Sequence, residues 1–237
     1  MERLDQALEL LKENEPKNQS IINYIENNPI YSVEIVGKSV LVRGLSDQAW
    51  IYINGDSKEE VKELLKKINK EDKFFAAIEH WMVPYIVAGR KVVWDIDTVR
   101  YILPEHVELP TTPHQVLPLS PKDSEVIYCH SIYSKYINEN YVKDRIYKGL
   151  TAGAYENDKL VAWVLTQDDG AVAFLYVDQE HRRKGYANSV VLALLGKIRK
   201  TGRQPFMYIE ENNEETKQLA ANLGFEVESN VYWLHLT

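Results

Sequence analysis

The stretch Ala171-Val172-Ala173-Phe174-Leu175-Tyr176-Val177, followed by Asp178-Gln179-Glu180-His181 and then Arg182-Arg183-Lys184-Gly185-Tyr186-Ala187, decides how this chain is read. An apolar run gives way to a basic turn holding a glycine, and the pattern beyond it predicts a helix from about Tyr186 to Lys200. A strand that hands the chain to a helix N-terminus leaves several backbone N–H groups without intrahelical acceptors. Those donors, with the positive end of the helix dipole, form a seat for phosphate. Gly185 lets the backbone approach a bulky anion with no Cβ in the way. Ala187 keeps the next turn slim, and Arg182, Arg183 and Lys184 cluster beside the seat. These residues predict a pyrophosphate cradle.

Working outward, a strand is predicted at Pro205 to Glu210, then Asn213, then a helix ending in Leu223-Gly224-Phe225. This ordered set, with Arg182-x-x-Gly185-x-Ala187 after Leu175-Tyr176-Val177, resembles the acyl-CoA-binding region of the GNAT superfamily of N-acyltransferases. The resemblance covers roughly the C-terminal half, from about Val116 onward. It implies an α/β (α+β) GNAT fold, a mixed, splayed central sheet flanked by helices. It also implies acetyl-CoA or a longer acyl-CoA as co-substrate and a small-molecule amine as acceptor. The backbone of Leu175, Tyr176 and Val177 would hold pantetheine, and one of their N–H groups would polarise the thioester carbonyl. The backbone of Arg183, Lys184, Gly185, Tyr186, Ala187 and Asn188 would wrap the pyrophosphate. Arg182 would brace the loop and Asn213 would bond the pantetheine arm.

Within the superfamily, Val161-Ala162-Trp163, the turn ending at Gly170, and Arg182 at the expected distance resemble the glycine N-acyltransferase-like family. That likeness implies an acyl group passed to a small primary amine, with glycine or another amino acid as acceptor. The chain departs from the pattern at two positions. Ala171 stands where a general-base glutamate follows the turn glycine, and Ala220 stands where many GNATs carry a tyrosine acid. A general base commonly contributes about 10²–10⁴-fold. The substitutes in reach are Asp168 or Asp169 on the turn and Glu210 at the end of the next strand, each otherwise read as a plain surface carboxylate. Two further readings stay open: a catalytically weak or silent acyl-CoA-binding sensor, and a protein N-acetyltransferase acting on an N-terminus or lysine.

Composition narrows the classes. A net charge of −7 over 237 residues argues against a dedicated nucleic-acid binder, while the local basic run suits a small polyanion. No run is long and apolar enough to span a bilayer. The single Cys129 excludes an internal disulfide framework, fits a reducing compartment and is expected to be a packed thiol. The start lacks a signal-peptide core and an acid-poor transit composition, so a cytoplasmic address is the default, with the mitochondrion suggested only by the family resemblance. The six histidines show no metal-ligand spacing, so no metal site is expected. The tryptophans are expected to serve packing.

Three segments are expected: an N-terminal α/β unit at 1–105, a proline-rich linker at 106–121, and the acyltransferase domain at 122–237. In the first, Leu4, Ala7, Leu8 and Leu11 predict a helix stopping before Pro16, and Ile21 to Ile25 a short second one. A hairpin around Gly37-Lys38, a strand at Ala49 to Ile53 and a helix capped by Asp56 or Ser57 follow. Then come a strand at Phe74 to Ile78, a helix at Trp81 to Ala88, and one or two strands in Val92 to Leu103. In the third segment, helices are expected from Asp123 or Ser124 to about Lys135 and from Asn138 or Asn140 to about Lys148. A hairpin turning at Glu156-Asn157-Asp158 completes it. The order of elements around Ala49–Gly89 echoes that around Ala173–Gly224, with acidic Asn54-Gly55-Asp56 where the second has the basic cradle. The expectation is a degenerate GNAT-like N-terminal unit that no longer takes phosphate.

Overall fold

Pro16 opens a helix instead of merely ending one. The computed structural model describes residues 2–237. In it α1 (Glu2–Lys12) is followed by α2 (Glu15–Asn27), with the proline in the first turn, where its missing N–H costs nothing. The second helix is therefore much longer than the Ile21 to Ile25 expected. Strands β1 (Ile30–Val36), β2 (Ser39–Leu45) and β3 (Ala49–Asn54) form an antiparallel meander. Ser57 caps α3 (Lys58–Leu65), its side chain accepting the Glu60 N–H. Next come β4 (Phe74–Glu79), a single 3₁₀ turn, the short α4 (Val83–Ile86) and one long strand, β5 (Val92–Ile102).

The second run of elements repeats that order. It comprises α5 (Ser124–His130), α6 (Glu139–Lys148), β6 (Thr151–Glu156), β7 (Lys159–Thr166), β8 (Val172–Val177), α7 (Tyr186–Lys200), β9 (Phe206–Glu210), α8 (Glu214–Asn222) and β10 (Glu226–Leu236). Both runs read helix, helix, three strands, helix, strand, helix, strand. Helix α5 stops at His130, short of Lys135, because the chain turns at Ser131, whose backbone is extended. The last strand, β10, was not expected from the sequence.

Two compact units emerge. One holds the chain up to Arg100 with Ile209–Asn213 and Glu228–Thr237; the other holds Tyr101–Tyr208 with Glu214–Val227. In the first, β1, β2, β3, β4, β10 and β5 lie side by side in that order. Strands β3 and β4 are parallel, while β10 runs antiparallel to β4, pairing Val231 with Glu79 and Tyr232 with Ile78. Alternation along β2 feeds two cores: Val40 and Val42 join Tyr24 and Tyr52, whereas Leu41 joins Ile51, Val61 and Phe75. Trp50 packs edge-on against Phe74, Trp94 and Trp233 in the same unit.

In the second unit, β6, β7 and β8 form an antiparallel sheet with β8 at its edge. Trp163 and Leu165 face α5 and α6 in a core with Ile127, Val142 and Ile146. The opposite face, slimmed by Ala152, Ala154 and Ala162, receives α7. Strand β9 does not join this sheet. Instead the chain just before it accepts from the segment after β5, Leu103 N–H to Pro205 carbonyl at 2.9 Å. The sheet that holds β3, β4 and β10 is the mixed one, as the resemblance implied, and β8 forms an edge of the other.

Candidate active site

A short polar network builds the loop between β8 and α7. Asp178 ends the strand, one 3₁₀ turn covers Gln179–His181, and Gly185 is the N-cap residue of α7 at φ +88°. Arg183 also takes a left-handed backbone, φ +60°. No side chain caps α7 and no acidic residue lies in its first turn. The N–H groups of Tyr186, Ala187 and Asn188 therefore keep no intrahelical acceptor. Arg182, Arg183, Lys184 and Gly185 are all exposed around them. These features fit a diphosphate: open donors, a left-handed glycine and local positive charge.

Arg182 Nε donates to the Val177 carbonyl at 3.3 Å, tying the loop to the end of β8. Tyr186 is buried, and its hydroxyl donates to Glu156 at the β6–β7 turn. His181 Nε2 lies 3.1 Å from the same carboxylate, and Lys159 bonds Asp178 at 3.3 Å. The Tyr186 hydroxyl and then His181 hold the Glu156 carboxyl below its usual range. From the segment before α5, His114 stacks on the Tyr186 ring at 3.9 Å and its Nε2 meets the Lys184 carbonyl at 2.8 Å. Nothing in the sequence linked Glu156 and His114 to the cradle. They lie on loops 30 and 70 residues away from their partners, and no spacing rule connects such positions.

The strand leading to the loop has the second needed feature. Phe174 sits at φ +59°, and the β7–β8 register slips between Trp163 and Leu165, so β8 carries a bulge. Asp178 N–H donates inward to the Val161 carbonyl at 2.8 Å. Alternation then turns the backbone groups of Val177 and Leu175 to the open edge and those of Tyr176 toward β7. Of the three residues expected to offer backbone to pantetheine, Leu175 and Val177 turn theirs to the open edge. Tyr176 instead contributes its ring, stacked on Trp163 at 4.4 Å.

The acid–base candidates fall elsewhere. Asp168 and Asp169 are not surface carboxylates, because both are buried in the turn before β8. Asp168 accepts from the Tyr141 hydroxyl at 3.0 Å, and Asp169 accepts the Ala171 N–H at 3.0 Å. Asp169 thus holds the turn. Glu210 is half-buried at the end of β9, its carbonyl accepting the Asn213 N–H at 2.9 Å. Both Glu210 and Asn213 belong to the Ile209–Asn213 segment of the first unit. Ala171 and Ala220 are buried and offer no ionisable group. Cys129, expected to be packed, is exposed, because it lies in the last turn of α5 where the helix leaves the core. Among the described residues no group of three or more His, Cys, Asp or Glu could hold a metal ion. No described helix is long and apolar enough to cross a membrane.

Residues 147–234 match the family model described as FR47-like protein. No curated protein matches the chain. A solved Drosophila protein is similar over 99% of this chain and 95% of its own, at 13% identity and a TM-score of 0.82. A GCN5-related N-acetyltransferase-like protein from Streptococcus suis matches 100% of this chain and 99% of its own, at 13% identity and 0.60. A tandem GNAT protein from the clavulanic acid biosynthesis pathway matches 99% and 95%, at 14% identity and 0.58. From the bulged strand and its uncapped helix to the repeated order of elements, this chain has the GNAT fold.

Proposed function

We propose that this protein is an acyl-CoA-dependent N-acyltransferase that moves an acetyl or longer acyl group to a small primary amine. The observation that carries the reading is the pairing of an uncapped α7 N-terminus at Gly185 with the bulged, open-edged strand β8. The N–H groups of residues 186–188 would hold the pyrophosphate, and Leu175 and Val177 would bond the pantetheine amides. Acyl transfer from a thioester needs the reactants in line, a neutral amine, and donors aimed at the developing oxyanion. An N–H beside the Phe174 bulge, freed from the β7 ladder, is the donor this chain offers there. The likeness to a GCN5-related N-acetyltransferase-like protein and to a tandem GNAT protein supports the same reading. Glycine and other amino acids are the acceptors to try first.

The first unit plays a different part in this proposal, that of a degenerate copy. Where the second unit leaves helix donors open, Ser57 caps α3, and Glu60 accepts from the Lys38 and Ser39 N–H groups at 3.0 and 2.9 Å. A Cβ on Gly55 would lie within 2.8 Å of Val61, Met82 and Trp81, so its turn is already filled. Titration calorimetry with CoA should therefore give one site per chain. Thiol release from acetyl-CoA in the presence of glycine, other amino acids or polyamines tests the transfer. A second reading, a silent acyl-CoA sensor, draws on the two buried alanines at 171 and 220. One-site binding without turnover on any amine would favour it.

A further inference from the structure

Ala171 and Ala220, which stand where the resemblance implies a base and an acid, are buried and have no ionisable group. We propose that His130 is the general base that accepts the proton of the attacking amine. This assignment rests on the acyl-CoA reading above and goes beyond it by naming the missing group.

The geometry begins with the tautomer. His130 ends α5, and its Nδ1 lies 2.8 Å from the Val126 carbonyl oxygen. A carbonyl oxygen can only accept, so Nδ1 carries the hydrogen and the lone pair of the neutral ring sits on Nε2. The ring itself is held in place. It leans on Tyr176 with centroids 4.6 Å apart and meets Trp163 edge-on at 5.8 Å. Tyr176 and Trp163 are themselves stacked, so the imidazole caps an aromatic column rising from β7 and β8. That column stands on the sheet face covered by α5 and α6, directly over the strand whose outer edge is open.

Exposure completes the case. His130 is exposed, although its ring orientation is fixed from below by two aromatic rings and from the side by a carbonyl. A base for a solvent-borne amine needs that combination of a defined direction and an open lone pair. The titratable group facing it from β8 is the Tyr176 phenol, and its neighbour on α5 is the Cys129 thiol.

The step balances without a further reactant. The amine nitrogen adds to the thioester carbonyl carbon, and the carbonyl electron pair moves onto oxygen. His130 Nε2 takes the proton that the nitrogen sheds. Collapse re-forms the carbonyl and breaks the C–S bond, and the electron pair leaves on sulfur. The imidazolium proton then passes to that sulfur, giving the amide and CoA thiol.

The test uses the full chain, acetyl-CoA, and a panel of glycine, spermidine and a lysine-containing peptide. His130→Ala should lower kcat by about 10²-fold or more while leaving the calorimetric affinity for CoA unchanged. Added imidazole should restore part of the rate. His130→Asn keeps an N–H for the Val126 carbonyl but has no basic nitrogen, so it should stay as slow as His130→Ala. Wild-type kcat in either variant, or recovery in the asparagine variant, overturns the assignment and leaves the acyltransferase reading standing. Absence of CoA binding in the unsubstituted protein overturns that reading itself. Binding without turnover on any of the three amines removes His130's role and favours the sensor.

Discussion

Gly185 is the residue on which the cradle turns. At φ +88° any side chain is strained, although its Cβ would meet His114 Nε2 only at an ordinary 3.6 Å. The cost of Gly185→Ala is therefore conformational, about 1–2 kcal/mol for a left-handed L-residue. Thermal melts should show the drop, and CoA should no longer raise the midpoint, because relaxing that backbone turns the α7 donors away. An undiminished CoA-induced shift in the variant would remove the cradle from its assigned place. Asp72 poses a different residue-scale question. It is buried and receives three hydrogen bonds from Arg43, from Nε at 2.9 and 3.1 Å and from Nη2 at 2.7 Å. Asp72→Ala would strand the guanidinium in the first unit, a loss of about 3–5 kcal/mol. Urea titration of the full chain measures it, and a change below 1 kcal/mol would mean that water reaches Arg43.

At the scale of elements, the β6–β7 hairpin acts as the clasp of the cradle. Glu156 receives Tyr186 and His181 from the loop it faces, and those bonds lower its pKa from the ordinary 4.5. A carboxylate with a depressed folded pKa adds stability above its unfolded pKa and loses it as pH falls through the folded value. CoA affinity should accordingly fall on the acid side of pH 4.5, where the clasp is protonated. Glu156→Gln should weaken CoA severalfold at neutral pH and flatten that acid-side decline, both readable by calorimetry. A variant with unchanged affinity would show that the loop holds its shape without the clasp. The clasp also shows where sequence reading stops. The cradle was legible because strand, basic turn, glycine and helix are contiguous. Its supports were not, since Glu156 and His114 reach it only through the folding of distant loops. The Gly37-Lys38 turn and the apolar run at 171–177 correctly marked β2 and β8 as strands, but the bulge at Phe174 leaves no trace in composition, because a non-glycine residue adopts the left-handed conformation there. Local signals also misplaced ends: Pro16 read as a stop, whereas it starts α2.

On the scale of the whole molecule, the repeat hides a dependence that sequence could not disclose, because strand pairing between distant segments has no local signature. Strand β10 lies at the far end of the chain, yet Glu228–Thr237 belong to the first unit and β10 pairs with β4. Val231, Leu234 and Leu236 are exposed by 3%, 1% and 0%, and the last two join the Leu41 and Phe75 core of that unit. Each buried aliphatic side chain of this size contributes about 1.5–3 kcal/mol. Three of them together rival the roughly 5–15 kcal/mol by which a whole domain is stable. Cutting the chain at the proline-rich segment should therefore not yield two free-standing halves. A fragment ending at residue 105 lacks the strand beside β4, and one starting at residue 122 carries β10 with its apolar residues uncovered. Circular dichroism and hydrogen exchange should find the N-terminal fragment without protected amides on its own, and mixing the fragments should restore protection in β4. If residues 1–105 fold cooperatively alone, with β4 amides protected, then β10 is dispensable to the first unit and the repeat can be divided at its linker.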